Sequence, residues 1–292
     1  MNDKSYGVDR KKSPVFFAAT RVIVGVTIVG ILFPILYIFS LSLRTEDTVY
    51  QDTAFLIPKE VTYENYVNAW NLAKVRLNVS FLQMFRNSVV VTVSAIVFSI
   101  VFASMASFSF SHYHFRGKEV LFTTLIASYV VPAQVLLIPL FFVMVRLGII
   151  NNYLAVILPY IGFSMPIATL ILRSFFEQIP FEIKEAAIID GARDYQILTL
   201  VILPLAAPAI ASCIILLFLE TWNEFIYALV FLQKPAIQTI PVAIAKIAGG
   251  KFRLPLGTYG AAIMITIFPI MVVFMAFQKW FVAGVTMGAV KG

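Results

Sequence analysis

The chain is short of charge. Asp, Glu, Lys and Arg together make up 13% of its 292 residues, about half the ~25% share of a soluble domain. It has one cysteine, Cys213, which excludes an intrachain disulfide and any cysteine metal cluster, and it reads as plain packing in an apolar segment. It has two histidines, His112 and His114, which flank the short segment HYHFRGK and read as interfacial groups, not metal ligands. A Ser/His or His/Asp arrangement for catalysis is absent from its apolar runs, which argues against an intramembrane enzyme.

What remains is apolar. Hydrophobic residues make up 60% of the chain, and the mean hydropathy is +0.91. A soluble core of this length cannot hide so many apolar side chains, so the sequence describes an integral membrane protein. The net charge of +7 does not signal nucleic acid. The bases are scattered between apolar runs and form no stripe, as expected of residues that flank membrane spans.

Six uncharged or nearly uncharged runs are long enough to cross about 30 Å of hydrocarbon: 22–43, 87–110, 120–145, 154–172, 206–230 and 259–278. They do not alternate as barrel strands would, so they predict six helices, an all-α integral membrane fold over residues 1–292. The basic N-terminal segment resembles a signal peptide's, but the run after it is too long for a signal core and reads as a retained first span. Seven prolines fall in the runs (Pro34, Pro132, Pro139, Pro159, Pro166, Pro208 and Pro269). They suit either a bundle that encloses a cavity or ordinary kinked packing. A slight bias of Lys and Arg favours cytoplasmic N- and C-termini, which makes segment 174–204 the largest cytoplasmic loop.

That loop contains EIKEAAIIDGARDYQILTLVILP, residues 182–204. Pro180 suits a first helical turn, and Glu182 and Glu185 follow where the helix dipole favours acids. Gly191 ends the first helix, and a second helical pattern runs through Tyr195, Leu198 and Ile202. The product is a thin helix-turn-helix, either a ligand for a groove on another protein or a passive connector.

EAAIIDGA followed by VILP resembles the EAA signature of ABC importer permeases: Glu185, Ala186, Ala187, Gly191, Leu203 and Pro204 match, with Val201 in place of isoleucine. FRNSVVVT, LRSFFEQIPFEIKEAA, TWNEFIYAL and the ending GAVKG extend the likeness to the maltose-permease-like subunit of carbohydrate importers, from about Arg21 to Gly292. The resemblance implies a permease of the bacterial inner membrane that pairs with a second, different permease. It implies two ATPase subunits that carry ATP and Mg, and a solute-binding protein on the outer side. Glu185, Ala186, Ala187, Asp190 and Gly191 are then the expected ATPase-coupling residues. No cofactor is expected on this chain: AGGKF lacks the first glycine, the Ser/Thr and the strand of a phosphate loop.

Two carboxylates, Glu220 and Glu224, lie within the run 206–230, four residues apart and so on one helix face. Intramembrane acids are costly and point to function by default. With Asn223 and Tyr227 they form a candidate translocation path that offers acids and amides to sugar hydroxyls. The other reading places Glu224 near a helix end, solvated or paired. Tyr129 and Gln134 are weaker candidates, and Tyr129 reads as packing. The loop 231–258 carries Lys234, Lys246, Lys251 and Arg253 and no acid. Lys246, Lys251 and Arg253 are the expected contacts for an acidic binding protein or an acidic cargo such as a uronate oligomer, with lipid headgroups as the alternative. A secondary transporter is the competing class. It is weakened by the lack of a visible inverted repeat.

Overall fold

The computed structural model describes residues 14–51, 56–58, 60–249 and 255–289, and no strand forms among them. Among the described residues, four helices are long and apolar enough to cross a membrane: α1 (Pro14–Ser42), α4 (Phe81–His112), α7 (Leu154–Phe176) and α14 (Leu256–Ala289). Counting two sharply bent helix pairs as one span each raises the number to six.

The chain divides into two compact units. In the first, residues 1–67 and 255–264, α1 is followed by the short α2 (Glu46–Gln51) and by the start of α3 (Glu64–Leu77). Asn65 holds this unit together, donating to the carbonyls of Ser42 and Arg44 at 3.0 and 2.7 Å. Gly260 lets α14 lie against α1: a Cβ there would stand 3.2 Å from both the Ile38 carbonyl and the Ser42 amide.

The second unit, residues 68–254 and 265–292, centres on α4 packed against α7. The buried face of α4 is small and weakly polar, with Ala95, Ser99, Ala103 and Ser107, and that of α7 has Ala168 and Thr169. Lipid tails give no hydrophobic drive between helices, so small residues associate by close approach and by hydrogen bonds such as Ser107 Oγ to the Thr169 carbonyl, 3.0 Å. Around this pair lie α5 (Lys118–Ser128), α6 (Leu137–Arg146), α11 (Ala207–Trp222), α12 (Ile226–Phe231) and α13 (Ile240–Ala248), with α8 (Phe181–Ile189), α9 (Asp194–Gln196) and α10 (Leu203–Leu205) between α7 and α11.

Two expected spans are not continuous helices. Residues 120–145 break after Ser128, and the two halves meet at 89°. Pro132 explains the break, since it lacks an amide and disfavours helix at Val131. Residues 206–230 stop at Trp222 and resume at Ile226, and a 79° bend at Ala206 separates α11 from the chain before it. Pro204 and Pro208 flank that bend. The gap at 223–225 contains no proline and has a different cause.

Candidate functional site

The two helix breaks meet at one cavity. It has a volume of about 890 Å³, and its polar lining comes from Ser128, Tyr129, Gln134, Tyr160, Ser164, Glu220, Thr221 and Glu224. Three prolines (Pro132, Pro159 and Pro166) and apolar residues such as Leu140, Met144 and Phe163 complete the wall. Non-helical backbone at membrane depth is tolerated where it lines such a cavity. Among the described residues, no lysine, arginine or histidine lines it.

Glu220 and Glu224 both line the cavity, yet their surroundings differ. The Glu224 carboxylate accepts the amides of Tyr227 and Ala228 at 2.8 and 3.1 Å, and also the Tyr160 hydroxyl. It therefore caps the start of α12, where an acid meets free N–H groups and the positive end of the helix dipole. This cap is what holds the chain open at 223–225. Glu220 is exposed to the cavity, and Tyr129 reaches it with a long hydroxyl contact of 3.4 Å. Its remaining acceptor sites are free for a ligand hydroxyl.

The other two expected pathway residues do not line the cavity. Asn223 donates to the Leu219 carbonyl at 2.8 Å and ends α11. Tyr227 is buried, and its hydroxyl donates to the Ala133 carbonyl at 2.6 Å, bracing the other break. Tyr129, expected as packing, is 52% exposed and stands at the cavity wall, because the chain leaves the helix at this residue. Tyr160 did not stand out in the sequence, since a tyrosine in an apolar run more often packs.

The hairpin also has a defined geometry. Helix α8 ends with Gly191 at φ +81°. The Gly191 amide donates to the Ile188 carbonyl at 2.9 Å and the Ala192 amide to the Ala187 carbonyl at 2.9 Å. This is the Schellman pattern, and it needs a left-handed residue where Gly191 stands. Glu185, Ala186 and Asp190 are exposed, and Ala187 is half-buried. The second arm is α9, then a π-helix over Ile197–Ile202, then α10. Exposed apolar side chains at Phe181, Ile188 and Ile189 rim the hairpin.

In the loop 231–258, Lys246 is half-buried in the last turn of α13. Lys251 and Arg253 lie outside the described residues. Asn87 fastens the near side of this loop to α4, donating to the carbonyls of Ala236 and Gln238 at 3.0 and 2.9 Å.

Residues 95–287 match the family model for the binding-protein-dependent transport system inner membrane component. The chain belongs to this family. The permease is 36% identical over 262 residues to the trehalose transport system permease protein SugB of Mycobacterium tuberculosis, covering 89% of this chain and 93% of the relative. It is 33% identical to the trehalose/maltose transport system permease protein MalG of Thermococcus litoralis, covering 92% and 96% of the two chains. Among solved structures it is similar to a bacterial ABC transporter involved in the import of the acidic polysaccharide alginate. There the TM-score is 0.77 at 26% identity, covering 91% of this chain and 96% of that one. The permease is thus a multi-pass protein of the inner membrane and a transport subunit.

Proposed function

We propose that the permease is the membrane-spanning subunit of an importer that moves a sugar or an oligosaccharide, with energy from ATP hydrolysed on two separate ATPase subunits. The relatives support the carbohydrate class. Their names specify trehalose and trehalose/maltose, and the alginate importer keeps acidic saccharides within that class. In this reading a second permease completes the pathway and a binding protein delivers the cargo from outside. Both termini face the cytoplasm. ATP and Mg bind the partner subunits, and this chain holds no cofactor.

The observation that carries the reading is the cavity at the two helix breaks, with Glu220 open to it. A carboxylate accepts sugar hydroxyls strongly, and Tyr129 offers a ring face and a hydroxyl beside it. Glu220 is the cargo-facing acid, while Glu224, Asn223 and Tyr227 shape the path. The hairpin, with Glu185, Ala186, Ala187, Asp190 and Gly191, docks on an ATPase subunit. Lys246, with Lys251 and Arg253, faces the binding protein or the cargo.

The test is co-expression with the partner subunits, reconstitution into vesicles and uptake of labelled neutral and uronate oligosaccharides. The expected result is uptake that requires both ATP and the binding protein and that falls with Glu220→Gln. Uptake driven by an ion gradient without ATP overturns the reading.

A further inference from the structure

Lys184 is the buried residue of α8, 6% exposed on a helix whose acids Glu182 and Glu185 and whose Ala186 are exposed. Its ammonium is enclosed by rings: Tyr113 at 4.9 Å, Phe181 at 5.5 Å and Phe108 at 5.7 Å from the ring centres. It also donates to the His112 carbonyl at 3.3 Å. His112 is the last residue of α4, where free carbonyls and the negative end of the helix dipole favour a cation. The second arm comes near the same place, because the charge of Asp194 on α9 is felt by the Tyr113 side chain. Burial and Asp194 push the Tyr113 hydroxyl up to about 12, so it stays a neutral donor. The first arm of the hairpin is therefore fastened to the short elbow between α4 and α5.

The elbow leads directly to the cavity. Lys118 at the start of α5 donates back to the Tyr113 carbonyl at 3.2 Å. Helix α5 has 11 residues, about 16 Å of rigid rod. Near its start Arg173 of α7 holds it, with Glu119 at 2.9 Å and the Phe122 ring 3.9 Å from the guanidinium carbon. At its far end Ser128 and Tyr129 line the cavity, and Tyr129 contacts Glu220.

We propose that Lys184 is the positioning residue through which movement of the hairpin reaches the cargo cavity, with α5 as a lever held near its elbow by Arg173. The proposal rests on the hairpin reading given above. A displaced hairpin carries the Lys184 seat with it and turns α5 about the Arg173 contact, which moves Ser128 and Tyr129. A cation in an aromatic enclosure suits the joint, since the attraction is strong yet tolerates small changes of angle.

The test uses the assembled transporter in vesicles, with Lys184→Gln and Lys184→Arg. Ser128→Cys serves as a reporter in each background. Its own hydroxyl bonds only within α5, to the Leu125 carbonyl, and the native Cys213 is 1% exposed. The expected result is that Lys184→Gln assembles and the transporter hydrolyses ATP, while uptake falls by about tenfold, the scale of a coupling free energy. The reactivity of Cys at position 128 toward a polar maleimide depends on nucleotide with Lys184, loses that dependence with Lys184→Gln and regains it with Lys184→Arg. Normal uptake by Lys184→Gln, failure of that variant to assemble, or no rescue by arginine each overturns the proposal. Cross-linking from Glu185→Cys to the ATPase tests the hairpin reading separately. Without that cross-link the hairpin reading falls; with it, a normal Lys184→Gln sinks only the lever.

Discussion

Gly191 offers a test in which conformation and size separate. Its φ is +81°, and a Cβ built on it meets nothing within 4 Å. A substitution therefore causes no clash. The cost lies in placing an L-residue in the left-handed region, about 1–2 kcal/mol for an ordinary side chain. Asparagine visits that region more readily, and a β-branched residue there is an outlier. Loss of 1–2 kcal/mol changes an equilibrium by about 5- to 30-fold, here the share of hairpins whose two arms close on each other. ATP-driven uptake is then expected to fall in the order Gly191→Asn, Gly191→Ala, Gly191→Val. The co-purified ATPase should decline in the same order, and membrane insertion should not change. If Val supports as much uptake as Gly, or Asn harms as much as Val, the turn is not what the hairpin needs from this position.

The two cavity acids should divide by assay. Glu224→Ala leaves the Tyr160 hydroxyl and the amides of Tyr227 and Ala228 without their acceptor, at about 1–3 kcal/mol for each orphaned group. It should lower the detergent-solubilised melting temperature, whereas Glu220→Ala should leave that temperature unchanged and reduce uptake; equal melting shifts contradict the assignment. Gly260→Val should be poorly folded, because the new atoms meet backbone at 3.2 Å and overpacking of this kind costs about 1–3 kcal/mol. A Gly260→Val protein that melts with the wild type shows that α14 and α1 have room there.

The features that were readable in the sequence depend on near neighbours. The apolar runs behind α1, α4, α7 and α14 announce themselves by length alone. The hairpin does so by a glycine two positions past a helix end, and its closing bonds span only six residues, Ala187 to Ala192. Prolines were a poorer guide. Pro159 and Pro166 sit inside an unbroken α7, while the break at 223–225 has no proline at all. What breaks the chain there is a cap made from Glu224 and steadied by Tyr160, a partner 64 residues earlier. Lys184 was equally hidden, because its acceptor His112 lies 72 residues away, and a lysine on a short amphipathic helix reads as solvated.

The pair Glu220 and Glu224 shows why geometry is needed at the site itself. Both acids stand in one run, four apart, and cost the same to bury as charges in hydrocarbon. The sequence can say that such acids need compensation, but not what supplies it. For Glu224 the compensation is internal: two backbone amides and a tyrosine hydroxyl leave it little for a cargo. For Glu220 the hydrogen bond found among the described residues is to a tyrosine at the edge of hydrogen-bonding range. An acid so weakly satisfied beside an 890 Å³ cavity has acceptor capacity left for water or for the cargo hydroxyls that the proposed function brings there. Hence, under the proposed function, Glu220→Ala should change which saccharides are taken up more than Glu224→Ala does, and equal changes in the two variants would refute the division.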